Sequence, residues 1–492
     1  MSQFDWIGKW ANYSPEKLAI NDILTGESAT YKELNHRAEV IAANLHHNYG
    51  VKKGDRIAIL SPFNVNLIAL FGAAQKAGFI LVPLNFRLTA SEQAYQLNNC
   101  EAGVLIYDPE FNEAASALEI NKIKWEDITV ETNASYSETL TEDDTLFILY
   151  TSGTTGFPKG ALYTHKMLFW NSLNTALRLD LNSNDITINC MPPFHTGGWN
   201  VLVTPLLHVG GTIHLMGKFD PNQLLTEIES TKTTLLMVVP TMLKMMEDSP
   251  NFAALNAPDL RYHIVGGETL PIESIEKWAD KNIPVRQGYG LTEVGPNITS
   301  LHQNDNIRKR GSIGFLNFYV EGKIVNNQGQ ECAPEEVGEF WLKGPNVTPG
   351  YWNNDEATQK SIENGWFKTG DLVYRDEEGY IYVKGRIKDM FISGGENVYP
   401  SEIERVIREY KGVKEVAVIA IPDEKWGESG AAFISLENKA LTVEEISNHC
   451  RKHLAKFKNP KVFEILEDLP KNTAGKIDKK LILNTYMSNS IK

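Results

Sequence analysis

The sequence predicts a large N-terminal α/β domain with doubly wound sheets, followed by a smaller α+β domain. The chain has 492 residues, which is more than one hydrophobic core normally holds. Short, unbroken apolar runs alternate with helical stretches, a pattern typical of parallel sheets covered by helices on both faces. Near the C-terminal end the pattern changes to amphipathic helices and one long extended run. We therefore place the domains at residues 1–385 and 390–492, with a hinge at residues 386–389.

The apolar runs of the larger domain each have the length of a buried strand. They lie at residues 56–60, 80–83, 104–107, 186–190, 212–215, 235–239, 262–265 and 285–287. The longest apolar tract, residues 67–84, is interrupted by Gln75, Lys76 and Gly78. It therefore predicts a buried helix followed by a strand, and not a membrane span.

The smaller domain shows helix start signals and one strand. Ser401 to Glu404 and Thr442 to Glu445 each have the pattern of a capping box, which marks the beginning of a helix. Between them, residues 416–421 form an extended apolar run that we expect to end at Pro422. The charged stretch before this domain begins with Gly385 and is the predicted linker.

Composition excludes several classes of function. The net charge is −14, whereas a nucleic-acid-binding protein needs a basic face, so we expect no nucleic-acid partner. The four cysteines are far apart and form no CxxC pair, which argues against a disulfide framework or a zinc site. The N-terminus shows no signal-peptide pattern. We expect a cytoplasmic protein without a transmembrane segment, and the sequence leaves its oligomeric state open, a homodimer included.

A loop rich in glycine and threonine follows a predicted core strand at residues 150–161, "YTSGTTGFPKGA". The spacing does not fit the Walker pattern, because Pro158 and Gly160 flank Lys159, so a P-loop NTPase is excluded. Glycines that admit close backbone approach, hydroxyl donors and one lysine still suit a phosphate. The loop by itself is compatible with phosphate binding or with a plain connection.

The amino-acid sequence of the loop closely resembles the phosphate loop of the adenylate-forming enzymes. That family includes acyl- and aryl-CoA synthetases, peptide-synthetase adenylation domains and luciferases. Further stretches resemble that family in the same order along nearly the whole chain. They are "MPPFHTGGW" (191–199), "VGGE" (265–268), "QGYGLTE" (287–293), "GWFKTGDL" (365–372), "GRIKDMFISGGENVYPSEIE" (385–404) and "LPKNTAGKI" (469–477). The resemblance implies the adenylate-forming fold, with a mobile C-terminal domain.

The resemblance also implies which residues hold ATP. The nucleotide residues are Thr151, Ser152, Gly153, Thr154, Thr155 and Lys159 in the loop, Gly266, Gly267 and Glu268 at the adenine, and Gln287, Gly288, Tyr289, Gly290, Thr292, Asp371 and Arg386. Within this set, Thr292 is expected to contact the AMP phosphate, and Asp371 the ribose with help from Arg386. A carboxylate can accept hydrogen bonds from both ribose hydroxyls, although an isolated aspartate here would equally suit a turn.

Two further residues carry the expected chemistry. Glu293 is implied to be catalytic and to hold Mg²⁺, which usually takes one or two carboxylates besides phosphate and water. Lys476 is implied to be the catalytic lysine, whose ammonium offsets charge that develops at the α-phosphate. Taken singly, each would be read as an ordinary solvated side chain.

The sequence indicates the residues that would bind the acid and the thiol less clearly. By resemblance, the acyl pocket includes His195, Gly198 and Trp199, with His195 also a catalytic candidate, although a structural histidine is an equal reading. Amino-acid-activating domains usually place an aspartate in this region, so an amino-acid substrate is disfavoured. Lys388 is the implied hinge residue. The implied CoA-binding residues are Gly394, Gly395, Trp426, Phe457 and Lys461, with Trp426 as ordinary packing the alternative.

We therefore expect an AMP-forming acyl-CoA synthetase that uses ATP, Mg²⁺ and CoA on a small carboxylic acid. The sequences of the motifs favour a medium- or long-chain fatty acid as the substrate. The alternatives are an aryl-CoA ligase of the coumarate, benzoate or succinylbenzoate type, and a stand-alone adenylation enzyme that loads a carrier protein. A non-catalytic sensor of acyl nucleotides would be expected to lose Glu293, Asp371 or Lys476, and all three are present.

Overall fold

The structure is a computed structural model that describes residues 3–151, 158–267, 270–393, 396–423, 425–437, 440–472 and 475–490. Several predicted site residues therefore lie outside the described residues. They are Ser152, Gly153, Thr154 and Thr155 in the phosphate loop, Glu268 at the expected adenine slot, and Gly394 and Gly395 in the expected CoA loop.

Helices and strands alternate through the first three hundred residues, as predicted. The helices are α1 (Trp6–Tyr13), α2 (Tyr31–Tyr49), α3 (Val65–Ala77), α4 (Ala90–Cys100), α5 (Asn112–Ser116), α6 (Trp125–Ile128), α7 (His165–Leu179), α8 (Thr196–Asn200), α9 (Val203–Val209), α10 (Pro221–Ser230), α11 (Pro240–Glu247), α12 (Ile272–Ala279), α13 (Asp355–Ser361), α14 (Pro400–Arg408), α15 (Val443–His453) and α16 (Lys479–Ser490). The strands are β1 (Leu18–Asp22), β2 (Ser28–Thr30), β3 (Arg56–Leu60), β4 (Ile80–Pro83), β5 (Val104–Tyr107), β6 (Asn121–Lys124), β7 (Thr145–Thr151), β8 (Lys159–Thr164), β9 (Ile186–Asn189), β10 (Thr212–Leu215), β11 (Leu235–Val238), β12 (Tyr262–Val265), β13 (Val285–Tyr289), β14 (Thr299–Ser300), β15 (Phe315–Leu316), β16 (Glu321–Val325), β17 (Gly338–Lys343), β18 (Ile362–Glu363), β19 (Trp366–Arg375), β20 (Ile381–Arg386), β21 (Phe391–Ser393), β22 (Glu396–Val398), β23 (Val413–Asp423), β24 (Gly427–Leu436) and β25 (Val462–Leu466).

The chain divides into two compact units. The first comprises Met1–Gly322 and Leu342–Lys368, and the second comprises Lys323–Trp341 and Thr369–Lys492. This division follows the packing of the backbone. The hinge at residues 386–389, and the domain boundary placed there, concern movement and stay a prediction.

Two largely parallel sheets form the first unit within the described residues. One has the strand order β15-β14-β13-β12-β11-β9-β10-β1-β2, and the other has the order β6-β5-β3-β4-β7-β8. Antiparallel pairs occur at β1–β2, β13–β14, β14–β15 and β7–β8, and the remaining neighbours are parallel. Every strand predicted from an apolar run is present, with ends shifted by at most two residues. The predicted α/β architecture is confirmed.

The longest apolar tract folds as predicted, into a helix and then a strand. Helix α3 begins after Asn64, whose side chain accepts a hydrogen bond from the Leu67 backbone, and ends at Gly78 with φ 74°. Strand β4 follows directly and is fully buried. In the part of the chain that the structure describes, no helix is both long and apolar enough to cross a bilayer.

The second unit is an α+β body. Its sheet has the order β22-β21-β24-β23, and β25 runs parallel to β24. Helices α14 and α15 supply the other side of a core that includes Ile403, Val418, Ile434 and Cys450. Strands β19 and β20 pair antiparallel in a further sheet of the order β16-β17-β19-β18, with β20 beside β19, and this pair matters for the site described below.

One of the two capping boxes that the sequence predicts for this unit does not form. Thr442 and Glu445 cap α15 reciprocally, as predicted. Helix α14, however, begins at Pro400, which is favourable at the first helical position, so Ser401 already lies inside the helix. The Ser401 hydroxyl donates to the Lys384 carbonyl, and Glu404 accepts from the Val418 backbone, because tertiary partners replace the local cap.

The extended run also continues further than predicted. Strand β23 passes through Pro422, which pairs with Glu428 of β24. Proline is tolerated there because β23 lies at the edge of its sheet, where the missing N–H need not pair.

Candidate active site

The stem of the predicted phosphate loop is a two-stranded ribbon. Thr151 ends β7, Lys159 begins β8, and the two residues are direct partners across the antiparallel pair. The loop residues between Thr151 and Pro158 lie outside the described residues. The ribbon therefore fixes where the loop leaves and re-enters the sheet, and it places Thr151 and Lys159 opposite each other at the base of the loop.

Glu293 lies next to this stem. It belongs to a short 3₁₀ turn, Thr292–Val294, that follows β13, and only 8% of the residue is exposed. Its Oε1 atom is 3.5 Å from the Thr151 Oγ1 atom, although the two residues are 142 positions apart. Folding thus brings together the predicted metal carboxylate and the predicted phosphate loop.

A tyrosine that the sequence did not single out completes this cluster. The Tyr351 hydroxyl donates a hydrogen bond of 2.9 Å to Glu293 Oε1. Burial and the adjacent negative charge of Glu293 raise the pKa of Tyr351 well above its usual value, so the phenol stays protonated and acts as the donor. The Lys159 Nζ atom lies 5.2 Å from the centre of the Tyr351 ring, within cation–π range.

The cluster has the donor chemistry for a magnesium–phosphate group. Mg²⁺ prefers one or two carboxylates and completes its shell with phosphate oxygens and water. Among the described residues, no group of three or more His, Cys, Asp or Glu side chains could hold a metal by itself. A buried carboxylate beside a hydroxyl and an ammonium fits a metal that arrives with a nucleotide, and Glu293 is the residue that would hold it.

Several glycines leave the backbone without side chains at the carboxyl ends of β12 and β13. A side chain on Gly266 would place its Cβ 3.2 Å from the Gly288 carbonyl oxygen, and Gly267 has φ +91°. Gly290 admits no side chain, because a Cβ there would lie 1.5 Å from the Pro296 carbonyl oxygen. The carboxyl ends of adjacent parallel strands are where open α/β sheets bind ligands.

Polar groups flank these glycines. Gln287 is buried, and its Oε1 atom has no hydrogen-bond partner within the described part of the chain. A buried acceptor without a partner is uncommon and is consistent with a ligand donor such as an amino group. Tyr289 and Thr292 follow and are half-buried. Their assignment to the nucleotide stays a prediction.

The three predicted acyl-pocket residues are in different environments. His195 is half-buried just before α8, with its ring 4.7 Å from that of Phe194. Gly198 is required for packing, since a Cβ there would lie 2.3 Å from the Pro192 carbonyl oxygen. Trp199 is fully buried in the main core of the first unit, 4.7 Å from the Phe63 ring. The geometry of Trp199 is that of a core residue, and its role in the acyl pocket stays a prediction.

In the second unit, the predicted ribose residues are paired. Asp371 and Arg386 are opposite each other on β19 and β20, and the Arg386 Nε atom is 2.7 Å from the Asp371 Oδ1 atom. Asp371 is buried, while about half of the Arg386 side chain is exposed. The Asp371 backbone N–H is held by the Thr369 hydroxyl at 3.0 Å. The carboxylate is thereby fixed in orientation.

The predicted hinge and the predicted catalytic lysine are both exposed residues of the second unit. Lys388 is exposed in a turn in which the Arg386 carbonyl accepts from the Asp389 and Met390 backbones. Lys476 is exposed and makes two hydrogen bonds with Asn472: its N–H donates to Asn472 Oδ1, and its carbonyl accepts from the Asn472 N–H. These hydrogen bonds fix the backbone from which the Lys476 side chain extends.

The predicted CoA residues separate into two groups. Trp426 and Lys461 line a cavity of about 690 Å³ that Arg451 and Lys456 also line. Phe457 is half-buried and packs against the outside of the core of the unit, and its CoA role stays a prediction. Lys461 also contacts Asp423, and this hydrogen bond lowers the pKa of that carboxyl.

Sequence reasoning missed three residues that these sites contain. Arg451 and Lys456 line the cavity, and the basic last turn of α15 is the signal that could have found Arg451. Tyr351 gave no signal, because it lies 58 positions from Glu293 in a stretch that looks like an ordinary turn.

Comparisons with known proteins show the family to which the chain belongs. A family model described as AMP-binding enzyme matches residues 7–352, and one described as AMP-binding enzyme C-terminal domain matches residues 402–476. The long-chain-fatty-acid–CoA ligase FadD13 of Mycobacterium tuberculosis is 37% identical over 505 residues, which cover 99% of both chains. The feruloyl-CoA synthase of an Amycolatopsis species is 35% identical over 481 residues, which cover 96% of this chain and 97% of that protein.

A solved structure extends the similarity to the whole fold. The o-succinylbenzoate CoA synthetase (MenE) of Bacillus subtilis, in complex with its acyl-adenylate intermediate, superposes with a TM-score of 0.90 at 32% identity, over 97% of both chains. The resemblance inferred from the motifs is therefore confirmed. The chain belongs to the AMP-binding enzyme family and is an AMP-forming acid–thiol ligase.

Proposed function

We propose that this ligase activates a medium- or long-chain fatty acid in two steps. In the first, RCOO⁻ and ATP give RCO-AMP and pyrophosphate. In the second, RCO-AMP and CoA give RCO-S-CoA and AMP. The observation that carries this proposal is the cluster of Thr151, Lys159 and Glu293, which gathers an acceptor for a metal and donors for phosphate where the β7–β8 ribbon meets the turn after β13.

ATP with Mg²⁺ is the proposed nucleotide substrate. Bound Mg²⁺ would neutralise phosphate charge, and Glu293 is the residue that would hold it. The same Bacillus subtilis synthetase has been solved with ATP and a magnesium ion, at a TM-score of 0.88 and 32% identity, which supports the proposal. Asp371 would accept hydrogen bonds from the ribose hydroxyls, and Arg386 would keep its carboxylate oriented.

Lys476 is the proposed catalytic lysine of the first step. An ammonium that contacts the attacking carboxylate and the α-phosphate stabilises the charge that develops while pyrophosphate leaves. The second step requires the thiol to reach the acyl carbon, and we propose that turning about Lys388 separates the two steps, a recognised form of gating.

CoA would bind through its nucleotide at the cavity lined by Trp426 and Lys461. Arg451 and Lys456 line the same cavity, so three cations surround it beside one indole, and Lys461 among them is paired with Asp423. Guanidinium and ammonium groups are the usual partners of phosphate, and an indole offers a stacking face to adenine.

The preference for a fatty acid rests on sequence. FadD13, a long-chain-fatty-acid–CoA ligase, is 37% identical. His195 stands where an amino-acid-activating domain usually has an aspartate, which argues against an amino-acid substrate. An aryl-CoA ligase is the second candidate, since the feruloyl-CoA synthase is 35% identical and the o-succinylbenzoate synthetase shares the fold.

A panel of acids tests the substrate class. Purified protein is assayed for CoA-dependent AMP release with acetate, octanoate, palmitate, ferulate and o-succinylbenzoate, and kcat/KM is compared. The kcat/KM for octanoate or palmitate is expected to exceed that for ferulate and o-succinylbenzoate by about tenfold or more, because loss of even one buried methylene contact costs about that factor and an aromatic acid loses more contact in a pocket shaped for an alkyl chain. A higher kcat/KM for either aromatic acid contradicts the fatty-acid proposal and supports the aryl-CoA ligase.

We also propose a cytoplasmic location. The oligomeric state stays open, with a homodimer as one possibility. All four cysteines are free and buried, which suits a reducing compartment. Light scattering coupled to gel filtration distinguishes a mass near 55.2 kDa for a monomer from twice that value for a dimer.

A further inference from the structure

One segment of the first unit ties the phosphate-loop stem to the turn that carries Glu293. Within it, Thr348 donates its N–H to the Glu293 carbonyl at 2.7 Å and its hydroxyl to the Leu162 carbonyl at 2.7 Å. The other ties are Asn346 Nδ2 to the Val294 carbonyl at 2.6 Å, Trp352 N–H to the Gly160 carbonyl at 2.8 Å, and Leu162 N–H to the Gly350 carbonyl at 3.0 Å. Residues 346–352 therefore lie between β8 and the Thr292–Val294 turn and bond to both.

Tyr351 is the side chain through which this segment contacts the polar cluster. Its backbone is held by a bridge to Ala161 of β8 and by the Thr358 hydroxyl at 3.0 Å, so the origin of the side chain is fixed. The phenol is buried and reaches Glu293 Oε1 at 2.9 Å, whereas the Thr151 hydroxyl is 3.5 Å from the same atom. At 3.5 Å a hydrogen bond is weak, so Tyr351 is the stronger of these two donors.

We propose that Tyr351 is a positioning residue for the adenylation step: its hydroxyl holds the Glu293 carboxylate in the orientation that receives magnesium–ATP, and its ring holds the Lys159 ammonium. This inference rests on the proposed function of Glu293 and Lys159. A hydrogen bond to a carboxylate is charge-assisted and directional, so its loss leaves the carboxylate free to turn. Tyr351 touches no reacting atom and acts through its two neighbours.

Two substitutions separate the two contacts. Tyr351→Phe removes the hydroxyl and keeps the ring over Lys159, whereas Tyr351→Leu removes both. Tyr163→Phe is the matched control, because Tyr163 lies on β8, is also buried, and its hydroxyl has no hydrogen-bond partner in the described part of the chain. Melting temperatures of all variants show whether each has folded.

Adenylation is measured as acid-dependent exchange of pyrophosphate into ATP, and thioester formation as conversion of supplied acyl-AMP with CoA. Tyr351→Phe is expected to slow exchange by about tenfold, the effect of a lost hydrogen bond to a charged group, and Tyr351→Leu more. Thioester formation is expected to change by less than about twofold in either variant, since neither Glu293 nor Lys159 serves that step. Tyr163→Phe is expected to leave both rates unchanged.

A direct binding measurement and a double-mutant cycle complete the test. Electron paramagnetic resonance of Mn²⁺, added with a non-hydrolysable ATP analogue, is expected to show weaker binding in Tyr351→Phe and unchanged binding in Tyr163→Phe. In a Glu293→Gln background, Tyr351→Phe is expected to have no further effect on exchange, because the two residues act as one unit.

The inference is overturned if Tyr351→Phe exchanges pyrophosphate and binds Mn²⁺ like the unaltered chain, or if its effect is undiminished in the Glu293→Gln background. An equal loss in both half-reactions with a lowered melting temperature indicates a purely structural role and also overturns it. If the unaltered chain shows no exchange with any acid, the proposed function itself fails, which is a different result.

Discussion

Arg386 and Asp371 face each other across β19 and β20, with the guanidinium Nε atom 2.7 Å from the carboxylate Oδ1 atom. The carboxylate is buried and the guanidinium is half exposed, so solvent screens the attraction and limits what the pair adds to stability. Its geometry is more informative, because a buried carboxylate held at one oxygen keeps the other oriented. A carboxylate held in one orientation is what recognition of the two ribose hydroxyls requires.

Asp371→Asn is therefore expected to raise the KM for ATP by about tenfold or more, since a charged acceptor of ribose hydroxyls becomes a neutral amide. The unaltered chain should also discriminate against 2′-deoxy-ATP, and the variant should discriminate less. Steady-state AMP release with each nucleotide measures both effects. Equal discrimination in the variant and the unaltered chain would show that Asp371 does not contact the ribose.

Lys388→Pro tests the predicted hinge. Lys388 is exposed, so the substitution removes little packing, but proline fixes φ near −65° and restricts turning at this position. Pyrophosphate exchange is expected to continue, whereas thioester formation from supplied acyl-AMP should slow by about tenfold or more. Lys388→Ala, which leaves the backbone free, is the control. A proline variant with both half-reactions intact would place the hinge elsewhere.

Arg451→Gln tests the cavity assigned to CoA. Loss of one phosphate contact is expected to raise the KM for CoA by about tenfold and to leave the KM for ATP unchanged. Lys452→Gln is a close control, because Lys452 is the next residue on α15, is exposed, and is not among the residues that line the cavity. Equal effects of the two substitutions would indicate loss of general positive charge and not a specific contact.

Buried histidines predict a loss of stability in mild acid. Burial lowers the pKa of His263 to about 3 and the pKa of His165 to about 4, against about 6.5 in an unfolded chain. The unfolded chain therefore binds protons that the folded protein excludes. The stability from this source is complete above about pH 6.5 and is lost as the pH falls toward 4.

His263→Leu should diminish this loss. Between pH 7 and pH 5, one neutral buried histidine accounts for about 2 kcal/mol of unfolding free energy, so the variant should lose about that much less over the interval. Urea unfolding followed by tryptophan fluorescence at the two pH values measures the difference. The exposed His47, replaced by Gln, serves as the control, and an unchanged pH dependence in His263→Leu would refute the assignment.

The sequence predicted most of the fold, because buried parallel strands are unbroken apolar runs that can be recognised one at a time. The errors arose where tertiary contacts outweighed local signals. Ser401 bonds to Lys384 and not to its own helix, and β23 continues through Pro422 because an edge strand tolerates proline.

The candidate site was predictable only as far as it resembles a family. The sequences of the motifs identified Thr151 and Glu293 separately, and in the structure the Thr151 Oγ1 and Glu293 Oε1 atoms are 3.5 Å apart. No rule based on spacing could pair residues so far apart. Tyr351 was missed for the same reason, and Trp199 was assigned to a pocket from its motif although its ring lies in the core.

Lys476→Ala tests the division between the two steps. The variant should lose pyrophosphate exchange by about a thousandfold, the effect of removing a group that stabilises transition-state charge. It should still convert supplied acyl-AMP and CoA to the thioester. Lys480→Ala, an exposed lysine nearby on α16, is the control and should keep both activities. Equal loss of both half-reactions in Lys476→Ala would refute this assignment.

The identity of the nucleotide product tests the central claim most directly. Purified protein is incubated with ATP, Mg²⁺, CoA and octanoate or palmitate, and the products are separated by chromatography. We predict equal amounts of AMP, pyrophosphate and acyl-CoA, with no acyl-CoA when ATP is omitted. Formation of ADP and phosphate, or acyl transfer that occurs only to a carrier protein and not to CoA, would contradict the account.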